Sequence, residues 1–140
     1  MAAFLDTNIL LYALSTVNTA EVKKVAIAQQ LVEALTASQS LIISAQVLSE
    51  FTSVASRKGP TPLTISQIEM VVEDLSQQTV IPIDASLVQL ALRHVQASQL
   101  SYWDSLIVEA ALRARATTLY TEDMNHGTRF GTLELINPFV

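Results

Sequence analysis

The chain has 140 residues, of which half are hydrophobic and 15% charged, with a formal net charge of −5. That length suits one domain, residues 1–140, with a real core, and the composition is too apolar for a disordered chain. There is no cysteine, which excludes disulfides and thiolate metal sites. The acidic balance argues against a broad nonspecific nucleic-acid surface, though not against nucleic acid held through metal ions.

Ala2 to Leu5 is a short apolar run that reads as a buried strand. Asp6 ends it, and Thr7-Asn8 open a second apolar run, Ile9 to Leu14, that suits a first helix. Glu21 to Ala37 carries Val25, Ala28, Leu31, Val32 and Leu35 at helical spacing, with Thr19 or Asn18 as its cap. Ser40 to Ser44 is a second strand, and a helix from Ala45 to Lys58 follows with Val47, Leu48, Phe51, Val54 and Ala55 on one face. Arg57 and Lys58 suit that helix's C-terminus, and the other basic residues read as ordinary solvated positions. Gly59-Pro60-Thr61-Pro62 is the clearest loop, and Ile65 to Ser76 is the next helix. Thr79 to Ile83 is a third strand whose Pro82 disfavours a central, fully paired place. Asp84 caps a helix from Ala85 to Ala97, and Ser101 to Arg115 is the most regular helix of all. Thr117 to Thr121 is a fourth strand, Glu122 to Gly131 a loop, and Thr132 to Ile136 a fifth strand.

This alternation predicts an α/β fold: a three-layer α/β/α arrangement with a mostly parallel sheet of about five strands. Right-handed crossovers place the strands' carboxyl ends on one edge. No membrane span is expected, because the longest charge-free run, Ala34 to Ser49, is broken by Thr, Ser and Gln. The amino terminus lacks a basic n-region, so a signal peptide is not expected and a cytoplasmic location is.

Acids gather near that edge. Asp6 ends the first strand, Glu50 lies less than two turns into the helix after the second, Asp104 opens the helix Ser101–Arg115, and Glu122 and Asp123 follow the fourth strand. Each has a plain structural reading. Asp6 caps a helix, Ser101 and Asp104 form a capping-box variant, and Glu50 reaches for water. Asp84 is a plain cap. Asp104, however, shares a stripe with Ile107, Val108 and Ala111, so it points inward, whereas Glu109 lies off the stripe and reads as solvated. A carboxylate that faces inward must be paired or bind a metal. Few basic residues are available to pair four converging acids, and oxygen-only ligands suit Mg²⁺ or Mn²⁺. His126 is a candidate general base, although a histidine between Asn125 and Gly127 is more often just exposed. His94 reads as a helix-surface residue. Tyr102 and Trp103 could stack a base, but aromatics at a helix start are more often packing.

The set Asp6-Thr7-Asn8, Glu50, Asp104 within Trp103–Ala111, and Thr121-Glu122-Asp123 resembles a PIN domain. More narrowly it resembles the VapC-type toxins of bacterial and archaeal toxin–antitoxin pairs. The likeness runs nearly end to end and includes the closing Ile136-Asn137-Pro138-Phe139. It implies that Asp6, Glu50, Asp104 and Asp123 are the acidic catalytic set, supported by Asn8 and Thr121, with Mg²⁺ (or Mn²⁺) on Asp6, Asp104 and Asp123. The family's Thr-x-Asp pattern favours Asp123 over Glu122 as the acid in the cleft, but the sequence leaves the choice open. The resemblance also implies a metal-dependent endoribonuclease that leaves 5′-phosphate and 3′-hydroxyl ends, and a homodimer silenced by a small antitoxin. An inhibitor of an acidic cleft should bring a cation, such as an arginine forking onto a carboxylate. The helices Glu21–Ala37 and Ala45–Lys58 could supply a groove for its amphipathic segment.

Two rivals stand beside this reading. A phosphatase or phospho-acceptor domain would use Asp6 as nucleophile. The first of these wants a second Asp two residues on, where this chain has Asn8, and the second wants a late lysine, whereas none follows Lys58. The other rival is a PIN-like scaffold kept for binding alone, and the complete acid set argues against it.

Overall fold

The computed structural model describes residues 2–140. Its elements run β1 (Ala3–Leu5), α1 (Thr7–Leu14), α2 (Val22–Ala37), β2 (Leu41–Ser44), α3 (Ala45–Ala55), α4 (Ile65–Leu75) and β3 (Thr79–Ile81), then α5 (Ala85–Ala97), α6 (Tyr102–Arg113), β4 (Thr118–Tyr120), β5 (Arg129–Phe130) and β6 (Leu133–Ile136). β1 and β2 are buried along their whole length. Strands apolar on both faces need cover on both faces, and the helices supply it. α1 lies against α2 and α3, and α5 lies along α6. Phe4, Leu5, Ile9, Leu10, Phe51, Leu106, Ile107, Leu119 and Leu133 are fully buried between these layers. Each contributes roughly 1.5–3 kcal/mol of burial.

The sheet has six strands in the order β3-β2-β1-β4-β6-β5, parallel throughout except for the β5–β6 pair. Its register brings two residues far apart in the chain together at the carboxyl edge. Leu5 stands beside Tyr120, so the next residues, Asp6 and Thr121, leave the sheet side by side. The Asp6 N–H donates to the Tyr120 carbonyl at 3.0 Å, which continues the pairing to that point.

The expected α/β order holds, and β3, which Pro82 follows, is an edge strand. The sixth strand is β5, two residues inside what reads as a loop, too short to show alternation. Neither Thr19 nor Asn18 caps α2. Glu21 occupies the cap without a side-chain bond, and Asn18 makes a left-handed turn at φ 60°. α3 stops at Ala55, and Arg57 Nε reaches back to the Ser53 carbonyl at 2.9 Å. Gly59, at φ 94°, lets the following loop close onto Thr16, whose hydroxyl donates to the Thr61 carbonyl at 2.8 Å.

Two expected surface residues are inside. Glu109 Oε1 lies 3.1 Å from His94 Nδ1, with both side chains largely covered between α5 and α6. The His94 ring also lies 4.8 Å from that of Phe130, and its Nε2 is buried without a partner. The cover comes from β5, the strand that the sequence pattern does not reveal. No helix among the described residues is long and apolar enough to cross a membrane.

Candidate active site

Asp6 sits at the end of β1 as the cap of α1, with its Oδ1 taking the Thr7 N–H at 2.7 Å. Its Oδ2 accepts from the Thr121 hydroxyl at 2.8 Å, the contact that the β1–β4 register prepares. Thr121 Oγ1 also accepts the Asp123 N–H at 3.2 Å, so one threonine ties two of the expected acids together. Asp123 Oδ2 takes the Asn8 amide N–H at 2.7 Å. Thr7 donates its hydroxyl to Glu50 Oε1 at 2.9 Å and so links α1 to α3. Asp104 stands in the first turn of α6, where its backbone N–H donates to Ser101 Oγ at 3.1 Å.

Asp6, Glu50, Asp104 and Asp123 thus come from four separate segments and line one cleft of about 250 Å³, together with Thr7, Asn8, Leu11, Gln46, Trp103 and Ile107. Among the described residues, no lysine, arginine or histidine forms an ion pair with any of the four. The electrostatic consequence is visible in three of the carboxyls. Burial pushes Asp6 up to about 6, against the pull of its Thr121 and Thr7 hydrogen bonds and with added repulsion from Asp123 and Glu50. Asp104 is also raised, by burial. Asp123 is raised by burial first, then by the charges of Glu122, Asp104 and Glu50.

The neighbouring acid, Glu122, turns the other way. It accepts from the Tyr12 hydroxyl at 2.8 Å and from Lys24 Nζ at 3.0 Å, and it does not line the cleft. Lys24, expected to be solvated, also stands over the rings of Tyr12 and Phe139, at 5.7 and 5.4 Å. His126 is outside the cleft too, and its Nδ1 accepts the Asn137 N–H at 2.9 Å. Asp84 is the plain cap expected, bonded to the Leu87 N–H at 2.8 Å, and it also pairs with Arg113. Trp103 does not pack inside. It is 61% exposed at the rim of the cleft.

The family model that matches this sequence is the PIN domain, over residues 3–127. The chain belongs to the PIN domain family. No curated protein sequence matches it. Among solved structures, this PIN chain is similar to one in a toxin–antitoxin complex from Klebsiella pneumoniae, with 20% identity, 98% of each chain covered and a TM-score of 0.69. It is also similar to a chain of VapBC2 from Rickettsia felis bound to a promoter DNA fragment, with 23% identity, 96% of this chain and 97% of that one covered, and a TM-score of 0.65. A third is VapC20 of Mycobacterium tuberculosis, described as a sarcin–ricin loop cleaving toxin, with 18% identity, coverage of 89% and 92%, and a TM-score of 0.62.

The cleft of this PIN domain is a shared wall of acids rather than a finished cage. Among the described residues no three His, Asp or Glu side chains are grouped tightly enough to enclose an ion. Three of the carboxylates each take their own donor: Thr121 for Asp6, Thr7 for Glu50, Asn8 for Asp123. A full cage is not what Mg²⁺ requires, since it keeps several waters and takes one or two carboxylates besides substrate phosphate. An all-oxygen set with no cation opposite it fits that ion.

Thr7, Gln46 and Tyr12 are the working neighbours that sequence reasoning misses. Thr7 had a signal, because Asp6-Thr7-Asn8 is a polar triplet set between two apolar runs. The Tyr12–Glu122 and Lys24–Glu122 contacts span 110 and 98 residues and leave no local trace.

Proposed function

We propose that this PIN domain is a metal-dependent endoribonuclease and the toxin of a toxin–antitoxin pair. The observation that carries the reading is the convergence of Asp6, Glu50, Asp104 and Asp123 on one cleft without a cationic side chain among the described residues to neutralise them. Asp6, Asp104 and Asp123 are the carboxylates offered to Mg²⁺ or Mn²⁺; as they stand they do not enclose an ion, so one or two would bind it directly and the rest through its waters. When bound, the ion supplies positive charge against the scissile phosphate and a lowered pKa for water. The Thr7 N–H and the Thr121 hydroxyl fix the two oxygens of Asp6, and the Asn8 amide fixes one of Asp123, so that these carboxylates are already oriented. Glu50, anchored through one oxygen by Thr7, orients the attacking water with the other.

The phosphatase reading does poorly on this geometry. A nucleophilic Asp6 wants a second Asp two residues on, and that position is Asn8, whose amide is spent on Asp123 Oδ2.

A small antitoxin would silence the cleft, and a homodimer is the expected assembly. An apolar groove lined by Leu14, Val32, Val71 and Leu75 runs between α1, α2 and α4. It gives α2, one of the two helices expected to seat an amphipathic antitoxin segment, an apolar edge.

Cleavage of single-stranded RNA, with and without Mg²⁺, followed by analysis of the new ends, tests the reaction class. Ends carrying 5′-phosphate and 3′-hydroxyl, formed only with the ion, are expected. Cyclic phosphate ends, or cleavage indifferent to EDTA, would overturn it.

A further inference from the structure

We propose that Trp103 and Ile83, with Gln46 and Ser49 of α3, form a shelf on which a nucleobase of the substrate strand stacks. Such a shelf rests on the ribonuclease reading and adds to it the way in which the strand is gripped.

A shallow, mainly apolar cleft of about 350 Å³ is lined by Gln46, Ser49, Glu50, Ile83 and Trp103. Gln46, Glu50 and Trp103 also line the acid cleft, so the two share a wall. Trp103 is 61% exposed and Ile83 41%, which leaves two large apolar side chains in water at the mouth of a site. The tryptophan is nonetheless held in place. Its carbonyl accepts from Gln46 Nε2 at 3.2 Å, and its ring meets Tyr102 edge-on at 5.1 Å and 70°. Trp103 and Asp104 both line the acid cleft, so a phosphate bound beside Asp104 would have its flanking base within reach of the indole.

The charge balance favours a grip on the base. A nucleic-acid site ordinarily draws its affinity from Lys and Arg on phosphates. Neither cleft is lined by Lys or Arg among the described residues, and the whole chain is at −5. Metal on the phosphate and stacking on the base would supply the grip, and stacking tolerates any sequence because every base has a π face. The strand must therefore offer an unpaired base, which selects loops and single strands over duplex. Ser49 and Gln46 supply polar groups to the cleft's lining beside the apolar side chains of Trp103 and Ile83.

Trp103 is the chain's one tryptophan, so its fluorescence reports this position alone. The test is a Mg²⁺ titration series with a short phosphorothioate single-stranded RNA that resists hydrolysis, and with the same backbone made abasic. The base-bearing RNA should quench the emission and the abasic one should not. Trp103→Ala should weaken RNA binding about tenfold, the order expected for one stacked base, while Trp103→Phe should keep most of the affinity. Both variants should melt with the wild type, since the ring is exposed. RNA that binds and is cleaved with unchanged emission and unchanged Trp103→Ala affinity would overturn the shelf and leave the nuclease reading standing. Quenching by an amphipathic peptide but not by RNA would overturn it in favour of a protein-docking surface. No RNA binding and no cleavage would remove both.

Discussion

The Asp6 carboxyl lies between Thr7 and Thr121, and its burial outweighs both hydrogen bonds, holding it near 6 against an ordinary 3.8. The folded pKa is raised, so the charged form costs stability at neutral pH. As pH falls through about 6, the folded state takes up a proton that the unfolded state does not yet hold, and the penalty fades until it is gone below about 4. That difference corresponds to about 3 kcal/mol. Asp6→Asn keeps the shape and removes the charge. In EDTA the variant should melt above the wild type at about pH 7.5, by up to that amount, with the gain shrinking towards pH 4. Thermal melts at several pH values check this. An Asn variant that is less stable than the wild type at neutral pH in EDTA would show that the hydrogen bonds, not the burial, dominate at Asp6. Sequence alone could place Asp6 at a strand end but could not weigh its charge, because part of the weight comes from Thr121, 115 residues away.

At the scale of the element, the segment after β4 has to turn one of two adjacent acids into the cleft and the other out. Glu122 is drawn out by Tyr12 and Lys24, and the closing Phe139 packs its ring on Tyr12 at 5.1 Å. The loop is also tied to β6, with the Gly127 N–H on the Leu135 carbonyl and the Leu135 N–H on the Thr128 carbonyl, both at 2.8 Å. Tyr12→Phe removes one hydrogen bond to a covered glutamate and should cost about 1 kcal/mol. It should also lower cleavage roughly tenfold, since Asp123 would be held less firmly in the cleft. Melting and cleavage rates together decide whether the clamp positions Asp123. A variant that loses stability but cleaves at the wild-type rate would make Tyr12 structural only. Of this element the sequence shows the Thr-x-Asp pattern and the closing Ile136–Phe139 motif. It hides the clamp and β5, because a two-residue strand has no periodicity and the clamp's partners are far apart in the chain.

Over the whole molecule, the parallel sheet carries the acids to one edge, and this much is legible from strand–helix alternation and the position of each Asp. The packing under β5 is not, which is why His94 and Glu109 read as surface residues and lie inside. The same edge gives an acidic chain a cleft that would repel the RNA of the proposed reaction unless an ion intervened, so on that proposal activity and metal should be inseparable. The direct measurement is the rate of single-stranded RNA cleavage by the wild type and by Asp104→Asn as Mg²⁺ is titrated. Asp104 faces the cleft from α6, and its backbone bond to Ser101 survives the substitution. The wild type should show no cleavage in EDTA and a saturable rise with Mg²⁺. Asp104→Asn, folded and no less stable in EDTA, should lose at least about a hundredfold at every Mg²⁺ concentration. An Asp104→Asn protein that cleaves RNA like the wild type, with the same response to Mg²⁺, would contradict the assignment of this cleft as the site of the chemistry.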